Sequence, residues 1–123
     1  MSEQKRILVL ENDDFYVEIL GTFTKLFLNA STLFVKTSME ALGTCKESRP
    51  DVVIVDLDLP GKDSFQFLEK LRDDCELKTI PVIAIASGYD EQEALGAGSD
   101  GFLRKPFKVR ELEGLIEKLY CRA

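Results

Sequence analysis

Apolar residues along the chain follow two rhythms. Short unbroken runs stand at Ile7-Leu8-Val9-Leu10, Leu33-Phe34-Val35, Val52-Val53-Ile54-Val55, Pro81-Val82-Ile83-Ala84-Ile85-Ala86 and Phe102-Leu103. Runs of this length and β-branched content read as strands covered on both faces. Between them, apolar positions recur every three or four residues, the signature of helices with one buried face. The first predicted helix is capped by Asp13 or Asp14, carries Phe15, Ile19, Phe23, Leu26 and Phe27 on its apolar face, and ends near Asn29. The second is capped by Ser38, turns Met39, Leu42 and Cys45 inward, and stops before Pro50. The third runs from about Ser64 to Asp73 and buries Phe65, Leu68 and Leu71. The fourth is short and broken by Gly96-Ala97-Gly98. The last runs from about Val109 to Tyr120 with Leu112, Leu115, Ile116 and Leu119 inward.

Strand and helix alternate five times. Such alternation implies an α/β fold, a doubly wound parallel five-stranded sheet with helices on both faces. Right-handed crossovers leave few topologies, and the flavodoxin-like order 2-1-3-4-5 is the one expected. In open sheets of this kind ligands bind outside the carboxyl ends of the strands, at the switch point between the first and third. Three strand ends carry charged groups: Glu11 and Asn12 after the first, Asp56 after the third, Lys105 after the fifth. Asp56 ends the most apolar strand and is followed by Leu57-Asp58-Leu59-Pro60-Gly61, where Pro60-Gly61 marks a turn. Glu11, Asn12 and Asp56 then form one oxygen-rich pocket with Lys105 at its side. Hard oxygen ligands with room for water suit magnesium. A carboxylate set between a cation and a lysine is placed to take a phosphoryl group, whose oxygens both would neutralise.

Composition narrows the alternatives. The 123 residues are 45% hydrophobic and 31% charged, enough for one domain with a proper core. A net charge of −6 with scattered basic residues argues against a nucleic-acid surface. No apolar run approaches the ~20 residues of a membrane span, and the start of the chain lacks a signal-peptide core, so a cytoplasmic protein is expected. Cys45, Cys75 and Cys121 are isolated and read as reduced thiols. Without any histidine, Ser-His and Cys-His mechanisms and His-ligated metals within this chain are excluded.

Over essentially its full length the chain resembles a response-regulator receiver domain. Pro50-Asp51-Val52-Val53-Ile54-Val55-Asp56-Leu57-Asp58-Leu59-Pro60-Gly61 is similar to the family's phosphoacceptor segment, and Lys105-Pro106-Phe107 to its Lys-Pro motif. The resemblance implies that Asp56 receives phosphate from a sensor histidine kinase or phosphotransfer protein. It further implies that Lys105 contacts the phosphate, that the bond before Pro106 is cis, that Phe102 is the switch aromatic, and that the backbone carbonyl of Asp58 faces the metal. It makes residues 1–123 a single receiver domain with no effector domain attached.

The chain departs from the family pattern at three places. The acidic pair after the first strand is Glu11-Asn12, so one metal ligand is an amide. Asn still offers an oxygen, but the site loses a formal charge, and weaker magnesium binding is expected. The family's switch hydroxyl falls on Ala86; Ser87 is next to it, and on an extended strand would point to the other side. The segment between Ala86 and Phe102 is about three residues shorter than the family's, which shortens the fourth helix by nearly one turn.

Three functional readings follow. The first is a stand-alone phospho-accepting receiver that signals through an output protein or a homodimer. The second is a pseudo-receiver that docks a partner without phosphate, favoured by Asn12, Ala86 and the short fourth helix. The third is a magnesium-dependent aspartyl phosphatase, since Asp56-Leu57-Asp58 resembles the Asp-x-Asp start of haloacid-dehalogenase-type enzymes. Against it, that motif normally opens its fold, whereas here two strand-helix units precede it.

Overall fold

The computed structural model describes residues 4–120; residues 1–3 and 121–123, Cys121 among them, lie outside the described residues. Five parallel strands, β1 (Arg6–Leu10), β2 (Ser31–Val35), β3 (Val52–Asp56), β4 (Val82–Ala86) and β5 (Gly101–Arg104), form one sheet in the order β2-β1-β3-β4-β5. Five helices follow them in turn: α1 (Asp14–Phe27), α2 (Ser38–Ser48), α3 (Asp63–Asp73), α4 (Glu91–Gly96) and α5 (Val109–Tyr120). A 3₁₀ turn, Pro60–Lys62, separates β3 from α3. This is the flavodoxin-like fold that the strand and helix rhythms predict.

The period of two along each strand sorts the core into two layers. Leu8, Leu10, Val53, Val55, Ala84 and Ala86 pack on one face, with Ala41 and Cys45 of α2, Phe67 and Leu68 of α3 and Ala94 of α4. Ile7, Val9, Val52, Ile54, Ile83 and Ile85 pack on the other, against Leu20 and Phe23 of α1 and Leu112 and Ile116 of α5. Every residue of β3 and β4 is buried, which is why these two strands read as continuous apolar runs. The segment after β1 therefore rises to one face and the segment after β3 to the other, and a crevice opens between them.

Several details of the helices differ from the sequence expectation. On α1 the buried residues are Leu20, Phe23 and Thr24, while Phe15, Leu26 and Phe27 are exposed. A line of residues four apart drifts around a 3.6-residue helix, so the Phe15-Ile19-Phe23-Phe27 line meets the sheet only near its middle. Thr24 is tolerated inside because its hydroxyl donates to the Gly21 carbonyl and accepts from Thr32. Asp13, not Asp14, caps α1, accepting from the Phe15 N–H. The cap of α2 is Thr37 rather than Ser38, and Met39 is 83% exposed instead of inward. Ser38 instead binds Asp63 at the start of α3, through its N–H at 2.7 Å and its hydroxyl at 2.8 Å.

The fourth helix is short, as expected, with six residues. Its start is secured by a capping box between Asp90 and Glu93. Beyond its end, Gly98 takes a φ of 114°, which favours glycine. Arg72 of α3 ties this region down, donating to the carbonyls of Gly98, Lys78 and Ile80 and to the Asp100 carboxylate.

Two exposed helix glycines give the first test of the fold. A Cβ built at Gly43 or at Gly114 meets nothing within 4 Å. Glycine inside a helix costs about 1 kcal/mol relative to alanine. Gly43→Ala and Gly114→Ala are each expected to raise the unfolding free energy by about that amount in denaturant titrations. A loss of stability in either would contradict the helix placed there.

Candidate functional site

The site forms where β1, β3 and β5 end. Glu11 follows β1, is fully buried, and its N–H donates to the Val35 carbonyl at 3.1 Å. Its carboxylate is held from two sides. Oε2 accepts the backbone N–H groups of Asn12 at 3.1 Å and Asp13 at 3.2 Å. Oε1 accepts from Lys105 Nζ at 3.1 Å. Asp56, the last residue of β3, is also buried; its Oδ2 lies 3.2 Å from Lys105 Nζ and its Oδ1 accepts the Asp58 N–H at 2.9 Å. The Ser64 hydroxyl of α3 donates to the Asp56 backbone carbonyl, joining the strand end to the helix on the far face. Lys105 is delivered by the end of β5, where its N–H donates to the Ala86 carbonyl at 2.8 Å and its peptide bond to Pro106 is cis.

Two carboxylates and one ammonium in a buried cluster leave an unbalanced negative charge. Burial pushes the Glu11 carboxyl up to about 8, the neighbouring Asp56 carboxylate adds to this, and Lys105 offsets only part. Burial disfavours the Lys105 ammonium, but Glu11 and Asp56 outweigh it and hold its pKa above the ordinary value. The ammonium also sits 4.2 Å from the centre of the Tyr16 ring, which is backed by Phe107 at 5.8 Å.

The residues singled out in the sequence fall into three groups. Glu11, Asp56 and Lys105 are in direct contact. Asn12 and Asp58 line the same open cleft, together with Asp13, Tyr16, Ser87 and Pro106. Asp13 faces the cleft, but one of its oxygens is committed to capping α1. Ala86 and Phe102 do not reach the charged cluster. Ala86 is fully buried in the core, and Phe102 packs partly buried on the same layer with the Arg104 guanidinium 5.9 Å from its ring centre.

Sequence pattern did not anticipate the side chain of Asp58 or the direction of Ser87. Asp58 Oδ2 accepts the Ser87 N–H at 2.7 Å and the Ser87 hydroxyl at 3.1 Å, and Oδ1 accepts the Gly88 N–H at 3.0 Å. Ser87 therefore faces the cleft. It lies just past the end of β4, in a bend, so strand alternation no longer sets its direction. Partial burial works against the charged form of Asp58, yet the Ser87 and Gly88 N–H groups outweigh it and hold this carboxyl below its usual range. The signal available in the sequence was a second carboxylate two residues past Asp56, facing a Ser-Gly pair after the neighbouring strand. Tyr16 and Ser64 carried no such signal.

Hard oxygen donors fit magnesium: the Glu11 and Asp56 carboxylates, the Asn12 amide oxygen and the Asp58 carbonyl are candidate ligands. The close approach of the two carboxyl groups favours a cation on the same ground, since a bound cation would take the place of the Glu11 proton. Among the described residues no group of three or more His, Cys, Asp and Glu side chains is arranged to hold a metal, consistent with an amide at position 12.

A family model for the response regulator receiver domain matches residues 7–117. Response regulator Rre1 of Synechocystis is 30% identical over 125 residues, covering 99% of this chain and 54% of Rre1. The polar-differentiation response regulator DivK of Brucella anthropi is 28% identical over 108 residues, 85% of this chain and 87% of DivK. The receiver domain of sensor histidine kinase PA1611 from Pseudomonas aeruginosa superposes with a TM-score of 0.86 at 21% identity, covering 97% of this chain and 99% of that one. It was solved with a magnesium ion coordinated in its active-site cleft. The chain belongs to the response-regulator receiver family. Receivers are signalling modules of two-component systems that work with histidine kinases and output domains. This chain spans about half the length of Rre1. No helix among the described residues is long and apolar enough to cross a membrane.

Proposed function

We propose that this chain is a phospho-accepting receiver in which Asp56 takes a phosphoryl group from the phosphohistidine of a kinase or phosphotransfer protein. The observation that carries this reading is the buried contact of Lys105 with both Asp56 and Glu11 at the strand ends. An Asp56 oxygen attacks phosphorus, the phosphorus–nitrogen bond breaks, and the departing imidazole nitrogen regains a proton from water. Lys105 holds the carboxylate in place and stabilises charge on the phosphoryl oxygens. Glu11 accepts from Lys105 and keeps it aimed. A magnesium ion held by Glu11, Asn12, Asp56 and the Asp58 carbonyl would supply further neutralisation of that charge. The site asks for no turnover, so the chain acts as a signalling module rather than an enzyme. Residues 1–123 form one receiver domain in this reading, and output passes through protein–protein contacts, to a partner protein or in a homodimer. The expected place of work is the cytoplasm, where phosphohistidine donors are formed.

Incubation with a small phosphodonor and magnesium, read by intact mass, tests this directly. Wild type is expected to gain one phosphoryl group and Asp56→Asn none. No gain in wild type would leave the second reading, a docking module that works without phosphate. Two observations favour that alternative: Ala86 offers no hydroxyl, and Ser87 and Gly88 are already held by Asp58. The phosphatase reading loses its support, because Asp58 is kept ionised where a general acid is required.

The amide at position 12 gives a graded prediction. Asn12→Asp adds one negative charge at the cleft rim, and magnesium affinity by calorimetry is expected to rise about tenfold. An unchanged affinity would remove Asn12 from the ligand set.

A further inference from the structure

Lys105 has a neighbour that the phosphoacceptor reading does not use. Its Nζ stands 3.1 Å from Glu11 Oε1, 3.2 Å from Asp56 Oδ2 and 4.2 Å from the centre of the Tyr16 ring. An ammonium at that distance over a ring face is drawn to the negative π cloud. Enclosed by these groups, the Lys105 side chain is only 10% exposed. Tyr16 is half-buried in the first turn of α1, which Asp13 caps, and it lines the same cleft as Asp56. Two other rings hold it. Phe107 lies 5.8 Å away, tilted by 32°, and Phe15 meets it edge-on at 5.3 Å. Phe107 is itself packed against the core layer shared by α1 and α5. The plane of the Tyr16 ring is therefore set by α1 and by the segment after β5 together.

A lysine is a point charge on a flexible four-carbon stem, so its aim has to come from its surroundings. A carboxylate holds it through an oxygen that accepts a hydrogen bond, and Asp56 loses its own charge when it bonds to phosphorus. A ring face holds a cation differently. The attraction is electrostatic, asks for no particular N–H direction, and is the same before and after Asp56 is loaded. The ring also keeps water from the ammonium, and a charge shielded from water acts more strongly on charge developing nearby. We propose that Tyr16 is a positioning residue for Lys105: its ring face holds the ammonium in the cleft and dry while the N–H groups pass from the Asp56 carboxylate to the phosphoryl oxygens. Tyr16 acts through Lys105 alone. The proposal rests on Asp56 being the phosphoacceptor.

The test separates the π face of the ring from its bulk. Wild type, Tyr16→Phe, Tyr16→Leu and chains carrying progressively fluorinated phenylalanines at position 16 are loaded with a small phosphodonor and magnesium, and the rate is read by intact mass. Fluorine drains negative charge from the ring face while changing its size little. Tyr16→Phe should load within about twofold of wild type, Tyr16→Leu about tenfold more slowly, and the rate should fall stepwise with fluorination. Proton NMR of the unloaded chains gives a second readout. The Lys105 Hε signals should be displaced upfield by the ring in wild type and Tyr16→Phe, and return in Tyr16→Leu while core signals stay in place. Fluorinated chains that all load like Tyr16→Phe, or Tyr16→Leu loading at the wild-type rate, would overturn the positioning role alone. Undisplaced Lys105 signals in wild type would overturn the contact on which it stands. A wild type that shows the displacement yet takes no phosphoryl group would overturn the phosphoacceptor reading, and the positioning role with it.

Discussion

Replacing Lys105 with methionine is expected to slow phosphodonor loading of Asp56 by about a hundredfold or more. Methionine keeps much of the stem that lies against the Tyr16 ring and removes only the charge that both carboxylates share. A single electrostatic group aimed at a developing charge commonly carries about 10²–10³ in rate. The same substitution leaves Glu11 and Asp56 buried side by side with no cation between them. Glu11 then stays protonated to higher pH, so the stability cost, present already near pH 6 because buried Asp56 has lost its cation, is expected to grow towards about pH 9. Loading kinetics and denaturation of the same variant at the two pH values check both halves. Loading at the wild-type rate would remove Lys105 from the site.

Glu11 predicts an unusual pH dependence of stability. Its carboxyl titrates at about 8 in the folded chain, against 4.5 for an unperturbed glutamate. Between those values the folded protein keeps a proton that the unfolded chain has released. Stability due to this group is therefore full below 4.5 and is lost as pH rises through about 8. The slope approaches about 1.4 kcal/mol per pH unit at most. Glu11→Gln is expected to flatten the profile and to be the more stable form at about pH 8 and above, because the amide has no charge to bury. Magnesium competes with the proton, so its affinity for wild type should rise with pH until Glu11 is ionised. Denaturant titrations of both proteins across this range give the difference directly, free of carboxylates that titrate alike in both. Parallel profiles for the two would show that Glu11 is ionised throughout.

Sequence and structure agree most closely where burial is extreme. β3 and β4 were legible as strands because each is covered on both faces, and nothing but apolar residues satisfies that position. The sheet order followed from alternation and handedness, and with it the meeting of Glu11, Asp56 and Lys105 at one edge. The helices were legible as elements, and α3 and α5 turn the predicted residues inward, Leu68 and Leu71 on one and Leu112, Ile116 and Leu119 on the other, but the facing of α1 and of Met39 on α2 was not. On α1, Phe15, Leu26 and Phe27 stay exposed. Periodicity identifies an apolar stripe, and the neighbours decide which part of it is covered. Of the two candidates for the α1 cap the structure uses Asp13, and the α2 cap shifted by one residue, from Ser38 to the chemically similar Thr37.

By itself, then, the sequence determined the fold class, the strand that ends on Asp56, and the three charged groups of the cluster. Each of these depends on local rhythm and on a topology with few alternatives. Only the tertiary structure decided that Asp58 reaches across to Ser87 and Gly88, that Ser87 turns into the cleft, that Tyr16 covers Lys105, and that Glu11 is buried deeply enough to hold a proton near neutral pH. Those features depend on side chains 29 to 94 positions apart being brought within hydrogen-bonding distance. No local pattern encodes such distances, because they are set by how the sheet edge and its loops close upon one another.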